Sequence, residues 1–247
     1  MAVEVNMFNG GRRGGRFGRP GYRFRRFSAM PEFSEGFLAD TSDLDDFIKK
    51  LTDANDKEIE GYTAEIRSNS VFHENLGGNR RGFGRRFYGS GIGGTLGTML
   101  YALCRKLKPD TVVETGVSGG VSSSFILCAL EENQHGELFS IDLPWGEQSG
   151  WMIPDYLRHR WHLEQGRSAE KLPPLLEKLG AIDMFLHDSE HSYENMFREY
   201  ESAWAYLKTG GILLSHNVEW THAFPDFCKS ARVKGFLLND MGGTVKV

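Results

Sequence analysis

The feature that most constrains this chain of 247 residues is a glycine-rich turn that directly follows a short run of β-branched residues. Residues 111–113 are Thr-Val-Val, a composition typical of a buried strand. Gly116, Gly119 and Gly120 come next, and glycine lets backbone N–H groups approach a ligand because no Cβ stands between them. Apolar residues at helical spacing then run from 121 to 130. The stretch predicts a strand, a ligand-binding turn and a helix N-terminus.

The spacing of the glycines indicates which ligand the turn can hold. The dinucleotide fingerprint G-x-G-x-x-G would need glycine at position 118, where this chain has Ser118, so NAD is disfavoured. The residues instead fit acidic-x-Gly-x-x-x-Gly, formed by Glu114, Gly116 and Gly120, with Asp142 22 residues beyond Gly120 at the end of a second predicted strand. This pattern resembles the cofactor loop of class I S-adenosylmethionine-dependent methyltransferases. Glycine-rich turns also follow strands in other α/β proteins, so the rest of the chain must decide.

Composition sets the broad class of protein. The chain is 40% hydrophobic and 25% charged with a net charge of −4, which is typical of a globular domain, and its length fits one α/β domain plus an extension. Three widely spaced cysteines, Cys104, Cys128 and Cys228, are expected to be reduced residues of the core. No apolar run has the length of a membrane span, and the N-terminus lacks a signal-peptide core. The expected compartment is the cytoplasm.

The N-terminal region differs in composition from the rest. Residues 10–27 hold seven arginines, six glycines, four aromatics and no acid, so this stretch cannot form a core. It is interpreted as an arm that binds RNA or another polyanion, or as a solvated tail or a strap docked on its own acidic domain. We predict a flexible arm at residues 1–40, a helical cap at residues 41–91 and a catalytic domain at residues 92–247.

The catalytic domain alternates strands and helices, which predicts a parallel sheet covered by helices on both faces. Further helices are predicted at residues 172–179 and 193–208, and the last residues read as strand, turn and strand. The predicted fold class is α/β: a Rossmann-like, seven-stranded, mostly parallel sheet with an antiparallel C-terminal hairpin and an N-terminal helical extension.

Polar residues follow each parallel strand of this predicted sheet. Ligands of such sheets bind beyond the carboxyl ends of the strands, so these side chains should converge on one edge. In chain order they are Glu114, Asp142, Ser168, Asp188, and the pair His216 and Asn217.

Four segments that follow one another along the chain make the resemblance to class I methyltransferases more specific. Together they resemble one family within this class, whose relatives include small-molecule and sugar O-methyltransferases and cephalosporin-hydroxylase-like proteins. The resemblance covers residues 92–247 and excludes the arginine-rich arm. The four segments are VVETGVSGGVSSS at 112–124, FSIDLP at 139–144, IDMFLHDSEHSYENM at 182–196 and GGILLSHN at 210–217.

The resemblance implies S-adenosylmethionine as the cofactor. By this likeness the glycine turn holds the methionine part of the cofactor, Asp142 the ribose hydroxyls and Ser168 the adenine edge. The predicted cofactor-binding residues are Glu114, Gly116, Ser118, Gly120, Asp142 and Ser168.

The resemblance also bears on a metal ion. In metal-dependent O-methyltransferases, an acid after strand four and an acid plus an amide after strand five bind a divalent cation that lowers the pKa of the acceptor hydroxyl. Relatives often carry paired aspartates after the fifth strand, where this chain has His216 and Asn217. Asp188, His216 and Asn217 can still form a metal site, and the imidazole shifts its preference from magnesium towards softer metals.

A catalytic base is needed if the acceptor is a hydroxyl, since methyl transfer itself mainly requires alignment. Histidines 187, 191 and 216 are the candidates, and we predict Asp188, His191 and His216 as catalytic residues, with His191 as the base. Each imidazole can equally have a structural role. Asp188 can be a metal ligand, an orienter of a catalytic histidine, or the N-cap of the next helix.

The predicted function is O-methylation of a small hydroxylated metabolite. One alternative is a hydroxylase-like, non-methylating member of the same scaffold, and another is an RNA-associated protein that binds through residues 10–27. Many RNA methyltransferases that modify base nitrogens carry Asn/Asp-Pro-Pro-aromatic after the fourth strand, where this chain has HDSE, so base-nitrogen methylation is disfavoured. No membrane partner is expected, and no oligomeric state is predicted.

Overall fold

A mixed sheet of eight strands organises the part of the chain that the computed structural model describes, which is residues 37–82, 94–144 and 149–247. Residues 1–36 of the predicted arm at 1–40, including the arginine-rich stretch at 10–27, lie outside this part. The spatial order of the strands is β1-β7-β8-β6-β5-β2-β3-β4. Their bounds are β1 Leu38–Asp40, β2 Thr111–Thr115, β3 Glu137–Asp142, β4 Trp161–Gln165, β5 Ile182–His187, β6 Leu207–Ser215, β7 Gly235–Leu238 and β8 Met241–Val245.

The pairing of the strands confirms the predicted fold class. Strand β2 pairs in parallel with β3 and β5, β3 with β4, and β5 with β6. Strand β8 runs antiparallel to β6 and β7, which gives the predicted C-terminal hairpin. The sequence did not predict β1, which adds an eighth strand beside β7, because three residues are too short to show a strand periodicity.

Helices cover both faces of the sheet, as predicted. One hydrophobic core contains residues of the first five helices, and a second contains residues of the last three. Strand β2 serves both, since Val112 belongs to the first core and Val113 to the second. The bounds are α1 Leu44–Leu51, α2 Asp56–Ser68, α3 Ser70–Gly82, α4 Gly94–Leu107, α5 Val121–Asn133, α6 Ser168–Leu179, α7 Tyr193–Tyr206 and α8 Ala223–Ala231, with 3-10 helices at Asp155–Arg160 and Val218–Trp220.

The first helices begin at well-defined caps and join the core on the side of α4. The Asp43 side chain accepts from the N–H of Asp46 at 2.9 Å at the start of α1, and Asn55 and Glu58 form a capping box at the start of α2. Apolar residues of both helices are buried beside α4, among them Phe47, Ile48, Leu51, Ile59 and Ile66.

Helix α7 ends earlier than the sequence predicted. Its last residue is Tyr206, and Leu207 already pairs with Ile182 of β5. The register then shifts between Ile182 and Met184, which accommodates the glycines at 210 and 211 inside β6. Pairing with β5 therefore overrides the helical periodicity that had suggested a helix as far as residue 208.

Helix α6 begins earlier than predicted. It starts at Ser168 rather than at residue 172, and it contains Pro173 and Pro174. The two prolines remove the N–H donors to the carbonyls of Ala169 and Glu170, and both of these residues are exposed to water. Helix α8 had not been predicted at all.

The three cysteines are buried and unpaired, as expected from the sequence. Within the described ranges, no helix combines the length and the apolar composition that crossing a bilayer requires.

Candidate active site

A cavity of about 910 Å³ lies at the carboxyl ends of β2, β3, β4 and β5. The turns that follow these four strands line it together with the first residues of α7. Five of the predicted site residues lie on its wall, namely Gly116, Ser118, Asp142, Ser168 and Asp188. The strand ends therefore converge on one edge of the sheet, as the sequence predicted.

The glycine turn is shaped by close contact with the end of β5. Gly116 has φ +86°, and a Cβ on it would lie 1.9 Å from the carbonyl oxygen of Asp188. The N–H of Asp188 donates to the carbonyl of Thr115 at 2.8 Å, which holds the two strand ends together. Gly120 also has a positive φ and forms the N-cap of α5, away from the cavity. Glycine at these two positions lets the turn fold back onto its neighbours.

Asp142 links the end of β3 to the glycine turn. One of its carboxylate oxygens, Oδ2, accepts from the N–H of Ser118 at 2.9 Å, and Oδ1 accepts from the N–H of Leu143 at 2.9 Å. A carboxylate offers about four acceptor positions, and two backbone donors use about half of them. The remaining positions suit a ligand with hydroxyl groups in the cavity that Asp142 lines.

Glu114 is fully buried behind the turn and does not lie on the cavity wall. Its Oε1 accepts from the hydroxyls of Ser123 at 2.5 Å and Ser140 at 2.6 Å, while Oε2 has no hydrogen-bond partner among the described residues. Burial raises the pKa of Glu114 to about 7, although the two serine hydroxyls act in the opposite direction. Its contact with a cofactor, implied by the resemblance, stays a prediction.

Asp188, His191 and His216 form a cluster at the ends of β5 and β6. The parallel pairing of these strands places His216 beside Asp188, and Nδ1 of His216 lies 2.9 Å from Asp188 Oδ1. Nε2 of His191 lies 3.6 Å from the same oxygen. One potential ligand atom from each of the three residues lies within 4.8 Å of the others. The structure thus brings together the three predicted catalytic residues.

Helix α7 is capped by Ser192, whose hydroxyl accepts from the N–H of Asn195 at 3.4 Å. The N-cap alternative for Asp188 was therefore wrong. Asn217 directly follows His216, is half-buried, and precedes the 3-10 helix Val218–Trp220 with φ +53°. Its role as a metal ligand stays a prediction.

His216 has a second acidic partner that the sequence did not reveal. Its Nε2 lies 3.2 Å from Oδ2 of Asp240, in the turn between β7 and β8. Burial lowers the pKa of His216, but the carboxylates of Asp188 and Asp240 outweigh it and raise that pKa to about 10. Burial raises the pKa of Asp188, and His191 and His216 more than compensate, so this pKa lies below its ordinary value. The Asn-Asp pair at 239–240 had indicated a hairpin turn rather than a site residue.

Glu199 of α7 is a second residue that the sequence did not reveal. Its carboxylate is buried and accepts from Thr115 Oγ1 at 2.5 Å, His187 Nδ1 at 2.7 Å, Ser189 Oγ at 2.7 Å and Asn195 Nδ2 at 2.9 Å. Burial raises the pKa of Glu199, but the imidazole of His187 and the hydroxyl donors lower it to about 2. A charged residue on the buried stripe of an amphipathic helix was the available signal.

Comparison with known proteins agrees with this geometry. Residues 113–218 match the family model of a methyltransferase domain. No curated protein matches the sequence.

Several solved structures share the fold. An O-methyltransferase from Bacillus cereus, crystallised with S-adenosylhomocysteine, is 15% identical with a TM-score of 0.54, over 81% of this chain and 100% of that one. TomG from Streptomyces achromogenes, involved in tomaymycin synthesis and crystallised with S-adenosylmethionine, is 16% identical with a TM-score of 0.52, over 73% of this chain and 91% of that one. The Podospora anserina methyltransferase PaMTH1, bound to S-adenosylhomocysteine, is 14% identical with a TM-score of 0.52, over 78% of this chain and 97% of that one. The family model and the fold confirm the resemblance to class I S-adenosylmethionine-dependent methyltransferases.

Proposed function

We propose that this protein is an S-adenosylmethionine-dependent O-methyltransferase that acts on a small hydroxylated acceptor. The observation that carries the proposal is that one cavity joins the glycine turn and Asp142 to the end of β5, where Asp188 meets His191 and His216. One end offers backbone and carboxylate groups that suit a nucleoside. At the other end the wall reaches Asp188, and His191 and His216 lie next to Asp188 without lining the wall themselves.

The first end, which we call the cofactor end, consists of Gly116, Ser118, Asp142 and Ser168. Two acceptor positions of the Asp142 carboxylate are free for ribose hydroxyls, and Ser168 at the start of α6 lies where the adenine edge would be bound. S-adenosylmethionine bound here supplies a methyl group already activated by its sulfonium. Glu114 supports this end from behind, because its carboxylate holds Ser123 of α5 and Ser140 of β3.

The second end, which we call the histidine end, consists of Asp188, His191 and His216. Nε2 of His191 makes no hydrogen bond within the described residues and lies 3.6 Å from Asp188 Oδ1, and we assign it as the atom that takes the proton of an acceptor hydroxyl. S-adenosylmethionine held at the cofactor end would give its methyl group to the acceptor oxygen and leave as S-adenosylhomocysteine, and His191 would take the hydroxyl proton. The carboxylate of Asp188, 3.6 Å away, stabilises the imidazolium that forms.

The donor set of the histidine end also fits a divalent metal. Neighbouring ligands on an ion with bonds of about 2.1 Å lie roughly 3 Å apart, and Oδ1 of Asp188 and Nδ1 of His216 are 2.9 Å apart. We propose Asp188, His216 and Asn217 as the ligands, which leaves His191 as the base. A divalent cation here would lower the pKa of the acceptor hydroxyl. The imidazole ligand favours zinc and similar softer transition metals over magnesium.

The surroundings of the histidine end suit a small acceptor with an apolar part. Trp220 is 52% exposed, and its ring centroid lies 5.1 Å from that of His191. An exposed indole beside the proposed base gives an acceptor ring or chain an apolar surface on which to lie.

Neither alternative function gains support from the described residues. The arginine-rich stretch at residues 10–27, on which RNA binding depends, lies outside them. A non-methylating, hydroxylase-like function would still require the cofactor end to bind S-adenosylmethionine, so cofactor binding alone does not separate it from methylation.

Two measurements on the full chain test the proposal. Isothermal titration should show binding of S-adenosylmethionine and S-adenosylhomocysteine, with NAD as the control ligand that does not bind. Absence of binding by the folded protein would refute the methyltransferase assignment. Incubation with methyl-labelled S-adenosylmethionine and a panel of phenols, polyols and sugars should then label a hydroxyl oxygen. Label transferred to nitrogen or carbon acceptors instead would refute O-methylation.

A further inference from the structure

We propose that Asp240, in the turn of the C-terminal hairpin, is a positioning residue that determines which nitrogen of His216 faces Asp188. The inference rests on the proposed function of the histidine end. It goes beyond that function because it assigns a role to a different element of the fold, the hairpin that closes the sheet.

The hydrogen bonds of His216 define the role. Nδ1 lies 2.9 Å from Asp188 Oδ1, and Nε2 lies 3.2 Å from Asp240 Oδ2. Carboxylates accept, so each ring nitrogen of His216 can donate to the carboxylate that it faces. The contact with Asp240 holds Nε2 on the side of the hairpin turn, and Nδ1 is therefore the nitrogen that faces Asp188.

Asp240 can do this because the backbone holds its position. The carbonyl of Asp240 accepts from the N–H of Val218 at 3.1 Å, which ties the turn to the segment that follows His216. Strand β8 also pairs with β6, with Gly242 opposite Ser215, immediately before His216. These backbone hydrogen bonds fix the position of the Asp240 turn relative to His216. The short Asp240 side chain then reaches the imidazole directly.

This arrangement matters most when a metal is bound. Histidine ligands commonly donate their other ring N–H to a carboxylate, which fixes the ring and the tautomer, and loss of that partner typically costs about 10- to 100-fold in metal affinity. Asp240 would be such a partner for His216 if His216 held a metal. Without Asp240, the imidazole of His216 could rotate, and a metal site built from Asp188 and His216 would be less well ordered.

The experiment is a titration of the full chain with Co²⁺, followed by its visible absorption and by calorimetry. Asp240→Ala removes the acceptor, Asp240→Asn keeps an acceptor oxygen without the charge, and Asp53→Asn is the control. Asp53 is 92% exposed, pairs with Lys106, and loses the same charge when substituted. We expect Asp53→Asn to match the wild type, Asp240→Ala to bind Co²⁺ about 10- to 100-fold more weakly with an altered spectrum, and Asp240→Asn to recover part of the loss.

The possible failures are distinguishable. If the wild type binds Co²⁺ and Asp240→Ala binds it equally well with the same spectrum, Asp240 has no positioning role although the metal site stands. If Asp240→Ala lowers the melting temperature but leaves the Co²⁺ spectrum and affinity of the folded protein unchanged, its role is structural and the inference is wrong. If the wild type binds no Co²⁺, the proposed metal site fails, and this role of Asp240 fails with it.

Discussion

The two ends of the cavity are each supported by a buried glutamate, and the two glutamates differ in charge. Glu114 lies behind the glycine turn with two serine hydroxyls as partners, and its pKa is raised to about 7. Glu199 lies behind the histidine end with His187 among its partners, and its pKa is lowered to about 2. The two carboxylates lie on opposite faces of β2, since Glu114 belongs to that strand and Glu199 bonds to the next residue, Thr115.

Burial raises the pKa of both glutamates, so it cannot explain why their pKa values differ. Each loses its hydration, and the result then depends on the hydrogen-bond partners, which are two hydroxyls for Glu114 and an imidazole, two hydroxyls and an amide for Glu199. The cofactor end accordingly rests on a glutamate with a raised pKa, whereas the histidine end rests on one with a lowered pKa. We expect substitutions at the cofactor end to change ligand affinity, and substitutions at the histidine end to change stability or turnover.

The largest expected effect comes from Glu199→Ala. The substitution leaves four buried donors on Thr115, His187, Ser189 and Asn195 without their acceptor, and each such loss typically costs about 1–3 kcal/mol, so we expect a loss of several kcal/mol. Chemical denaturation measures the free energy of unfolding. Glu201→Ala, an exposed glutamate on the same helix, is the control and should change it little. A loss below about 1 kcal/mol for Glu199→Ala would show that Glu199 is not ionised in the folded protein.

The next effect is on turnover. Asp188→Asn should lower kcat about 10²- to 10³-fold, because the amide cannot stabilise the imidazolium of His191, while the affinity for S-adenosylmethionine stays nearly constant. Steady-state kinetics and calorimetry on the same preparation measure the two quantities. Full activity of the variant would remove Asp188 from the catalytic residues.

The corresponding change at the cofactor end should affect affinity instead. Asp142→Ala removes the proposed acceptor of the ribose hydroxyls, and hydrogen bonds to a charged group contribute about 1.5–3 kcal/mol, so we expect affinity for S-adenosylmethionine to fall about 10- to 100-fold. Asp155→Ala, at a fully exposed acid, is the control for calorimetry. Unchanged affinity for Asp142→Ala would mean that the ribose binds elsewhere.

The smallest effect concerns pH and Glu114. Its folded pKa of about 7 lies above the ordinary value of 4.5, so the folded state holds this proton more tightly than the unfolded state. Stability should therefore fall as pH rises from about 4.5 to about 7 and then level off, by about 2 kcal/mol between pH 5.5 and 8. Glu114→Gln should lack this decline. Denaturation of both proteins at pH 5.5 and 8 tests it, and identical pH dependences would contradict the raised pKa.

The sequence predicted the fold well because the fold depends on local patterns. The β-branched run at 111–113, the glycines after it and the apolar spacing of the helices each specify one element. Right-handed crossover connections between parallel strands then bring the carboxyl ends of the strands to one edge of the sheet. Its errors have tertiary causes. Pairing of Leu207 with β5 shortened α7, and pairing with β7 created the three-residue strand β1.

The site was predicted where a polar residue directly follows a strand. Asp142, Asp188 and His216 were predicted in this way, and the structure has them at the ends of β3, β5 and β6; their roles stay predictions. Glu199 and Asp240 were missed because one lies inside a helix and the other in a turn, and each acquires its role from a partner on another element. Such partners are not encoded in the spacing of the residues along the chain.

A crystal structure of the full chain with S-adenosylhomocysteine tests the proposed methyl transfer most directly. We predict that the ribose hydroxyls donate to the carboxylate of Asp142 and that the sulfur lies on the side of the cavity that faces Asp188 and His191. A nucleoside bound away from Asp142, or a sulfur directed away from the histidine end, would contradict the proposed methyl transfer.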